Sequence, residues 1–245
     1  YNPQIIKLDE TEMAEWRRIT QLMIRASSNE NSGKKGSSTD RLKMLSIKRS
    51  RVAKKAASKV PVAASLILKN YRGGEYWLVY CEDTDQLEEM NGVLRREGLS
   101  PHIYKSNMAG SKEAELKDYT QFGGIMLSIR CLDEGVDIPK ISHAVIMASS
   151  QNPRQFIQRR GRVLRKDDQK SKAVIYDLFA VPNSEESIMP DSLLKSELSR
   201  AIEFADSALN TNGAMSTLRL IFLKLNLQLE DFSDYNQNEP DDALL

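Results

Sequence analysis

Cysteine is nearly absent from this 245-residue chain: there are two, Cys81 and Cys131, far apart and outside any C-x-x-C spacing. That excludes a disulfide framework and a zinc site of the usual ligand spacing, and so sparse a thiol content reads as cytoplasmic. Histidine is equally scarce. His102 and His143 stand alone beside apolar, strand-like runs, with no partner ligands nearby in sequence, so both read as structural and no metal site is expected. No apolar run approaches the roughly 18 residues of a membrane span, and no signal-peptide pattern opens the chain, so no membrane partner is expected. An excess of one charge is lacking too: 35 Lys and Arg against 34 Asp and Glu leave a formal +1. Total charge therefore says nothing about a nucleic-acid partner, and only its distribution can. An initiator methionine is also missing. The chain opens Tyr1-Asn2-Pro3, which reads as a piece of a longer polypeptide.

What is present is ordinary for a globular protein: 40% hydrophobic and 28% charged residues, enough for one large domain or two small ones. Over residues 9–26, Met13, Trp16, Ile19, Thr20 and Met23 recur at helical spacing. Residues 27–40 carry almost no apolar side chain and read as a flexible loop. Helix resumes over 41–59, where every charge is positive: Arg41, Lys43, Lys48, Arg49, Arg51, Lys54, Lys55 and Lys59. Such a run is either a nucleic-acid-facing helix, with Arg49 and Arg51 in its middle, or a solvated face, and the sequence leaves both open.

From Glu75 the pattern changes. Tyr76-Trp77-Leu78-Val79-Tyr80-Cys81 is a continuous β-forming apolar run, as expected of a strand covered on both faces. Asp83 is placed to cap a helix, with Gln86 three residues on, an apolar stripe of Leu87, Met90 and Leu94, and Gly98 as its stop. Further strands are expected around 102–104, 125–129, 144–147 and 173–178, with a helix at 113–119. Strands of buried type alternating with helices predict an α/β fold, a parallel sheet with helices on both faces, over 71–182. The flanking regions, 1–70 and 183–245, read as helical. The second of them ends in a segment, 230–245, with six acids and no base, which can repel nucleic acid or shield a basic site and reads as solvated.

Two segments carry chemistry. In parallel sheets, ligands sit beyond the carboxyl ends of the strands. Ser128-Ile129-Arg130-Cys131-Leu132-Asp133-Glu134-Gly135-Val136-Asp137-Ile138-Pro139 follows the strand at 125–129. Gly135 lets backbone approach a ligand closely, and Asp137 offers a carboxylate to a ribose hydroxyl or an arginine; Gly, Pro and acids also make plain surface turns. After the strand at 144–147, Asn152 and Pro153 are suited to open a helix. Stepping about 100° per residue from Gln158 puts Arg162 at about 40° and Arg165 at about −20°. These three share a narrow face, while Phe156, Ile157, Val163 and Leu164 lie roughly opposite, with Arg160 among them. The planar guanidinium fork matches phosphate oxygens and never loses its charge. Two arginines one turn apart can stabilise charge on a transferring phosphoryl group, an effect of about 10³–10⁵-fold in rate, and Gln158 can orient water or a phosphate oxygen. The other reading of the cluster is pairing with acids elsewhere in the protein.

Taken together, the two segments, about twenty residues apart, resemble superfamily 2 helicases and translocases. Asp133-Glu134-Gly135-Val136-Asp137-Ile138-Pro139 is similar to motif V of that family. Gln158-Arg159-Arg160-Gly161-Arg162-Val163-Leu164-Arg165 is similar to motif VI, Q-x-x-G-R-x-x-R, and the strand leading into Tyr80-Cys81-Glu82-Asp83-Thr84 to motif IV. The resemblance implies the second RecA-like lobe of a two-lobed ATPase acting on DNA or RNA. It implies Arg162 and Arg165 as arginine fingers, Gln158 as a γ-phosphate sensor, and Gly135 and Asp137 at the nucleotide's ribose. It also implies Ser128, with Ser106 as a weaker candidate, at the nucleic-acid backbone. Glu134-Gly135-Val136-Asp137-Ile138-Pro139 resembles the DExH-type, restriction- or repair-associated branch, so DNA is expected over RNA, with the basic helix at 41–59 lying along a duplex.

No P-loop, G-x-x-x-x-G-K-[ST], is present in the chain, for Gly33-Lys34-Lys35 has neither the upstream glycine nor the following hydroxyl. A D-E-x-[HD] segment is lacking too. The expected cofactors, ATP and Mg²⁺, would then depend on an N-terminal RecA-like lobe of the same polypeptide, leaving this segment inactive by itself. The competing expectation is a non-catalytic nucleic-acid-binding or interaction module that keeps the fold as a scaffold.

Overall fold

Residues 1–30, 37–105, 111–129, 141–148, 172–181, 192–224 and 227 are described by the structure, a computed structural model. In chain order the elements are β1 (Asn2–Lys7), α1 (Glu10–Glu30), α2 (Ser37–Lys54), α3 (Lys59–Asn70), β2 (Tyr76–Cys81), α4 (Thr84–Arg96) and β3 (His102–Tyr104). They continue with α5 (Lys112–Phe122), β4 (Gly124–Ile129), β5 (His143–Ile146), β6 (Val174–Val181), α6 (Ser192–Asp206) and α7 (Thr211–Lys224). The six strands form one sheet in the order β1-β6-β5-β2-β4-β3, and every pairing is parallel. This is the expected α/β architecture.

The alternation of side chains along each strand divides the core in two. Trp77, Val79 and Cys81 of β2, with Ile125 and Leu127 of β4, pack on one face beneath α1, α3 and α4, whose Trp16, Ile67, Met90 and Leu94 all belong to that cluster. Leu78 and Tyr80 turn to the other face with Met126, Ile146 and Ile175, where Tyr119 of α5 and Phe204 of α6 cover them. Beyond them, Phe179 and Val181 of β6 pack on Leu198, Ala201, Leu218 and Phe222 of α6 and α7. The central strand β2 is buried on both faces, which explains why its sequence shows no alternation.

Three stretches depart from the sequence reading. Of the loop expected over 27–40, residues 27–30 continue α1 and residues 37–40 open α2. Residues 2–7 form β1, which pairs with β6 from Asn2↔Tyr176 to Lys7↔Val181 and adds an edge strand to the sheet. Pro3 is tolerated there because an edge strand has one side free of ladder bonds. The expected single helix over 41–59 is two: α2 ends at Lys54, and α3 starts at Lys59 and runs on to Asn70. The interruption is stabilised from outside, since the Ala57 N–H donates to the Glu12 carboxylate (2.7 Å). Pro61 falls in the first turn of α3, where its missing N–H costs nothing. Asp83, by contrast, caps α4 as expected, accepting from the Gln86 N–H, and Gly98 follows with φ +79°.

Two local devices lock the layers. The Asp177 carboxylate of β6, 1% exposed, accepts from Arg200 of α6 (3.2 Å) and from the Tyr1 hydroxyl (3.0 Å), which fastens β1 and α6 to one strand. α5 passes into β4 through Gly123 at φ +76°, where a Cβ would come within 2.9 Å of the carbonyl oxygens of Gly74 and Glu75; only glycine fits.

Candidate nucleotide and nucleic-acid edge

Because all six strands run parallel, their carboxyl ends line one edge of the sheet, the side on which such folds bind ligands. β2 sits between β5 and β4. β4 ends at Ile129 and β5 at Ile146, so the segment 133–139 follows the strand on one side of β2, and the segment 158–165 follows the strand on the other. Gly135, Asp137, Gln158, Arg162 and Arg165 themselves lie outside the described residues, as does Ser106 after β3.

At this edge the turn between α2 and α3 is docked by charge. Lys54 lies 3.5 Å from the Glu82 carboxylate, with both side chains under a tenth exposed. Lys55 meets Asp83 at 2.6 Å and Asp85 at 3.2 Å. Gln86, buried at the start of α4, donates to the Lys54 carbonyl (3.1 Å) and accepts from the Glu82 N–H (2.9 Å). Lys59 is 3% exposed, and its ammonium donates to the Met147 carbonyl just past β5 (2.5 Å). Three lysines of the basic run thus close on the exits of β2 and β5.

The ionisation of this seam follows from its contacts. Hydrogen bonding to Asp83 raises the Lys55 pKa against an opposing effect of burial, with Asp85 adding to the rise. For Asp83, burial pushes upward, but the hydrogen bonds from Lys55 and from the Gln86 N–H, with the charges of Lys55 and Arg51, hold its carboxyl below the ordinary value. Cys81, at the end of β2, is buried, and burial raises its thiol far above the usual range, so it is no nucleophile.

The sequence-predicted nucleic-acid residues fall in different places. Arg51 is exposed on α2, as are Arg41, Lys43 and Lys48. Arg49 is 6% exposed; it donates to the Thr20 hydroxyl (3.1 Å) and lies 5.3 Å from the Trp16 ring centre, which binds α2 to α1. Ser128 pairs in register with Tyr80 and Tyr104. It is fully buried, and its hydroxyl has no hydrogen-bond partner among the described residues. In the sequence, Lys54, Lys55 and Lys59 are three more charges of one basic run, and their spacing carries no sign of these contacts with the edge. Pro61, two residues after Lys59, was the available signal that a second helix starts there. Among the described residues, no three His, Cys, Asp or Glu side chains cluster together. No described helix is long and apolar enough to cross a membrane.

Comparison with known proteins bears on this edge directly. Residues 58–167 match the family described as "Helicase conserved C-terminal domain". The chain is 31% identical over 106 residues to the DNA 3'-5' translocase XPB2 of Sulfurisphaera tokodaii, covering 43% of this chain and 23% of that protein. It is 25% identical over 126 residues to a protein of Methanocaldococcus jannaschii named as an ATP-dependent RNA helicase, MJ1505, covering 48% of this chain and 16% of the other. The match therefore spans less than a quarter of either relative. Among solved structures, the C-terminal part of the Fun30 ATPase domain superposes with a TM-score of 0.50 at 11% identity, covering 92% of this chain and 97% of that one. At that identity the likeness is one of fold.

Proposed function

We propose that the chain is the C-terminal RecA-like lobe of a superfamily 2 enzyme, the second motor lobe of an ATP-dependent helicase or translocase, a reading supported by the match of residues 58–167 to the helicase C-terminal family. In this reading Arg162 and Arg165 stabilise charge developing on the transferring phosphoryl group, and Gln158 orients the attacking water or a γ-phosphate oxygen. Gly135 and Asp137 border the ribose. An N-terminal lobe of the same polypeptide supplies the P-loop and the carboxylates for Mg²⁺, which this chain lacks. What supports the assignment is the exit of the two motif-bearing segments from β4 and β5, the strands on either side of β2, at the edge where parallel sheets bind ligands.

The track lies against α2. Arg41, Lys43, Lys48 and Arg51 are exposed and are the residues proposed to meet phosphates, releasing counterions as they do so. Arg49, held between Thr20 and Trp16, maintains the helix that presents them. Ser106 and Ser128 are the further proposed backbone contacts, and Ser128 would have to become uncovered to serve. DNA is the proposed track, from the resemblance of 134–139 to the restriction- and repair-associated branch.

The test is nucleic-acid-stimulated ATP hydrolysis, measured on the full-length protein and on residues 1–245 alone. The full-length protein should turn over ATP, and the 245-residue chain should not. A full-length protein with no P-loop and no turnover would instead favour the second reading, a non-catalytic binding module, which the missing P-loop of this chain already favours over a self-sufficient motor.

A further inference from the structure

The outward face of α2 carries more than charge. Stepping about 100° per residue from Met44 puts Ile47 at about −60°, Arg51 at about −20°, Lys48 at about 40° and Arg41 at about 60°. These five side chains share one arc of the helix, and all five are exposed. Met44 and Ile47, 59% and 54% exposed, stand one turn apart and lie between Arg41 and Arg51 along the axis. Asp40, the only acid of α2, sits on the same side in its first turn. The apolar pair is not an unfilled part of the core, because other residues occupy the inward face. Leu45 packs with Ile19 and Ala26 of α1, and Ala53 joins the cluster that holds Trp16 and Ile67. A single exposed apolar side chain is ordinary. Two on one turn, flanked by three cations, make a surface that is apolar at its centre and positive at its rim.

We propose that Met44 and Ile47 contact the bases of an unpaired nucleic-acid strand while Arg41, Lys48 and Arg51 hold its phosphates. This inference rests on the motor-lobe reading, with α2 against the track. Phosphates attract the three cations but offer nothing to a thioether or a branched alkyl group. In an intact duplex the flat faces of the bases are stacked on one another. Only base edges reach the grooves, and apart from the thymine methyl these are hydrogen-bond donors and acceptors, which neither Met nor Ile can answer. Once a strand is unpaired, its base faces are free to lie on apolar side chains as its backbone follows the basic rim. Covering the exposed half of both side chains contributes about 10-fold in affinity. That part releases no counterions, so it does not change with salt as the cations' share does.

The experiment measures binding by the full-length protein, across a range of salt, to two probes. One is a single strand of about 20 thymidylates, longer than single-strand sites usually are, and the other a blunt DNA duplex of equal length. Met44→Ala with Ile47→Ala should weaken single-strand binding about 10-fold without changing the slope of log affinity against log salt. Duplex binding should stay within about twofold, and Tm should not move, because both side chains are more than half exposed. Lys48→Ala with Arg51→Ala should instead lower the slope. Single-strand affinity within about twofold of the parent overturns the proposal, as does an equal loss on strand and duplex, or a loss that tracks Tm. A parent dimer that becomes a monomer in the apolar variant also overturns it, by making a second copy of the chain the cover of Met44 and Ile47. An unchanged slope in Lys48→Ala with Arg51→Ala defeats the reading of α2 as the face on the track. A lowered slope there, beside unchanged binding by Met44→Ala with Ile47→Ala, defeats only the base contact.

Discussion

The two halves of the basic run carry charge of the same sign and meet opposite fates. Between 41 and 51, Arg41, Lys43, Lys48 and Arg51 stand in solvent. Between 54 and 59, Lys54 and Lys59 are buried, and Lys55 is paired with two carboxylates. Arg49 belongs with the second group although it lies in the first. A run of like charge is thus not one structural unit: one part faces outward into solvent, where we propose that it meets phosphates, and the other docks the helix on the sheet edge. What separates them is the set of acceptors within reach: Glu82 and Asp83 just past β2, Asp85 of α4, the Met147 carbonyl just past β5 and Thr20 of α1.

The comparison is broken most severely at Glu82. Removing it leaves the buried Lys54 ammonium without its carboxylate, and Glu82→Ala should cost about 3 kcal/mol in chemical denaturation. Adding Lys54→Met to that variant should recover most of the loss, the signature of an uncompensated charge. No recovery would mean that Glu82 stabilises through something other than Lys54.

Acid is the next perturbation. His143 is pushed below the ordinary value of 6.5 by burial, so its neutral form is favoured in the folded state. Its contribution is full above about pH 6.5 and declines as pH falls below that. Asp83 sits below its ordinary 3.8, so its contribution is full above about pH 4 and is lost as pH falls through the lower, folded value. Lys55 sits above its ordinary 10.5, so its share persists below about pH 10.5 and is lost only above the raised value. Thermal melts from pH 8 to 3 should show a first decline that disappears in a His143→Phe variant and a later one that disappears in Asp83→Asn. Since Lys55 and Asp83 are both more than a third exposed, solvent screening keeps their pair below about 1 kcal/mol.

The smallest effect on stability belongs to the outward group. Lys48→Ala with Arg51→Ala should change stability by no more than about 0.5 kcal/mol. In nucleic-acid binding the same pair should lower the slope of log affinity against log salt by about 1 for each residue removed. A reversed result, with stability lost and the slope unchanged, would remove the distinction between the two halves.

The legibility of the fold follows the same division between local and distant causes. β2, β4, β5 and β6 declare themselves through apolar runs, and α4 through Asp83, its stripe and Gly98, because each signal lies within its own element. β1 does not: Ile5 and Ile6 beside Pro3 are too little, and their partner strand is more than 160 residues away, at 174–181. The break between α2 and α3 passes through Ala56-Ala57, good helix formers, and depends on Glu12 of another helix. Of the proposed site, the two motif segments stand in the sequence itself, and the structure adds that the strands preceding them, β4 and β5, flank β2, while the segments' own residues lie outside the described ones. The seam of Lys54, Lys55 and Lys59 was hidden because lysine spacing says nothing about which carboxylate or carbonyl will face it.

The central claim is that this lobe completes an ATP site with its arginines, and the most direct measurement is ATP turnover by the full-length protein carrying Arg162→Ala. The account predicts a loss of about 10³-fold or more in kcat with Tm unchanged and nucleic-acid binding retained. Turnover near that of the parent would contradict it.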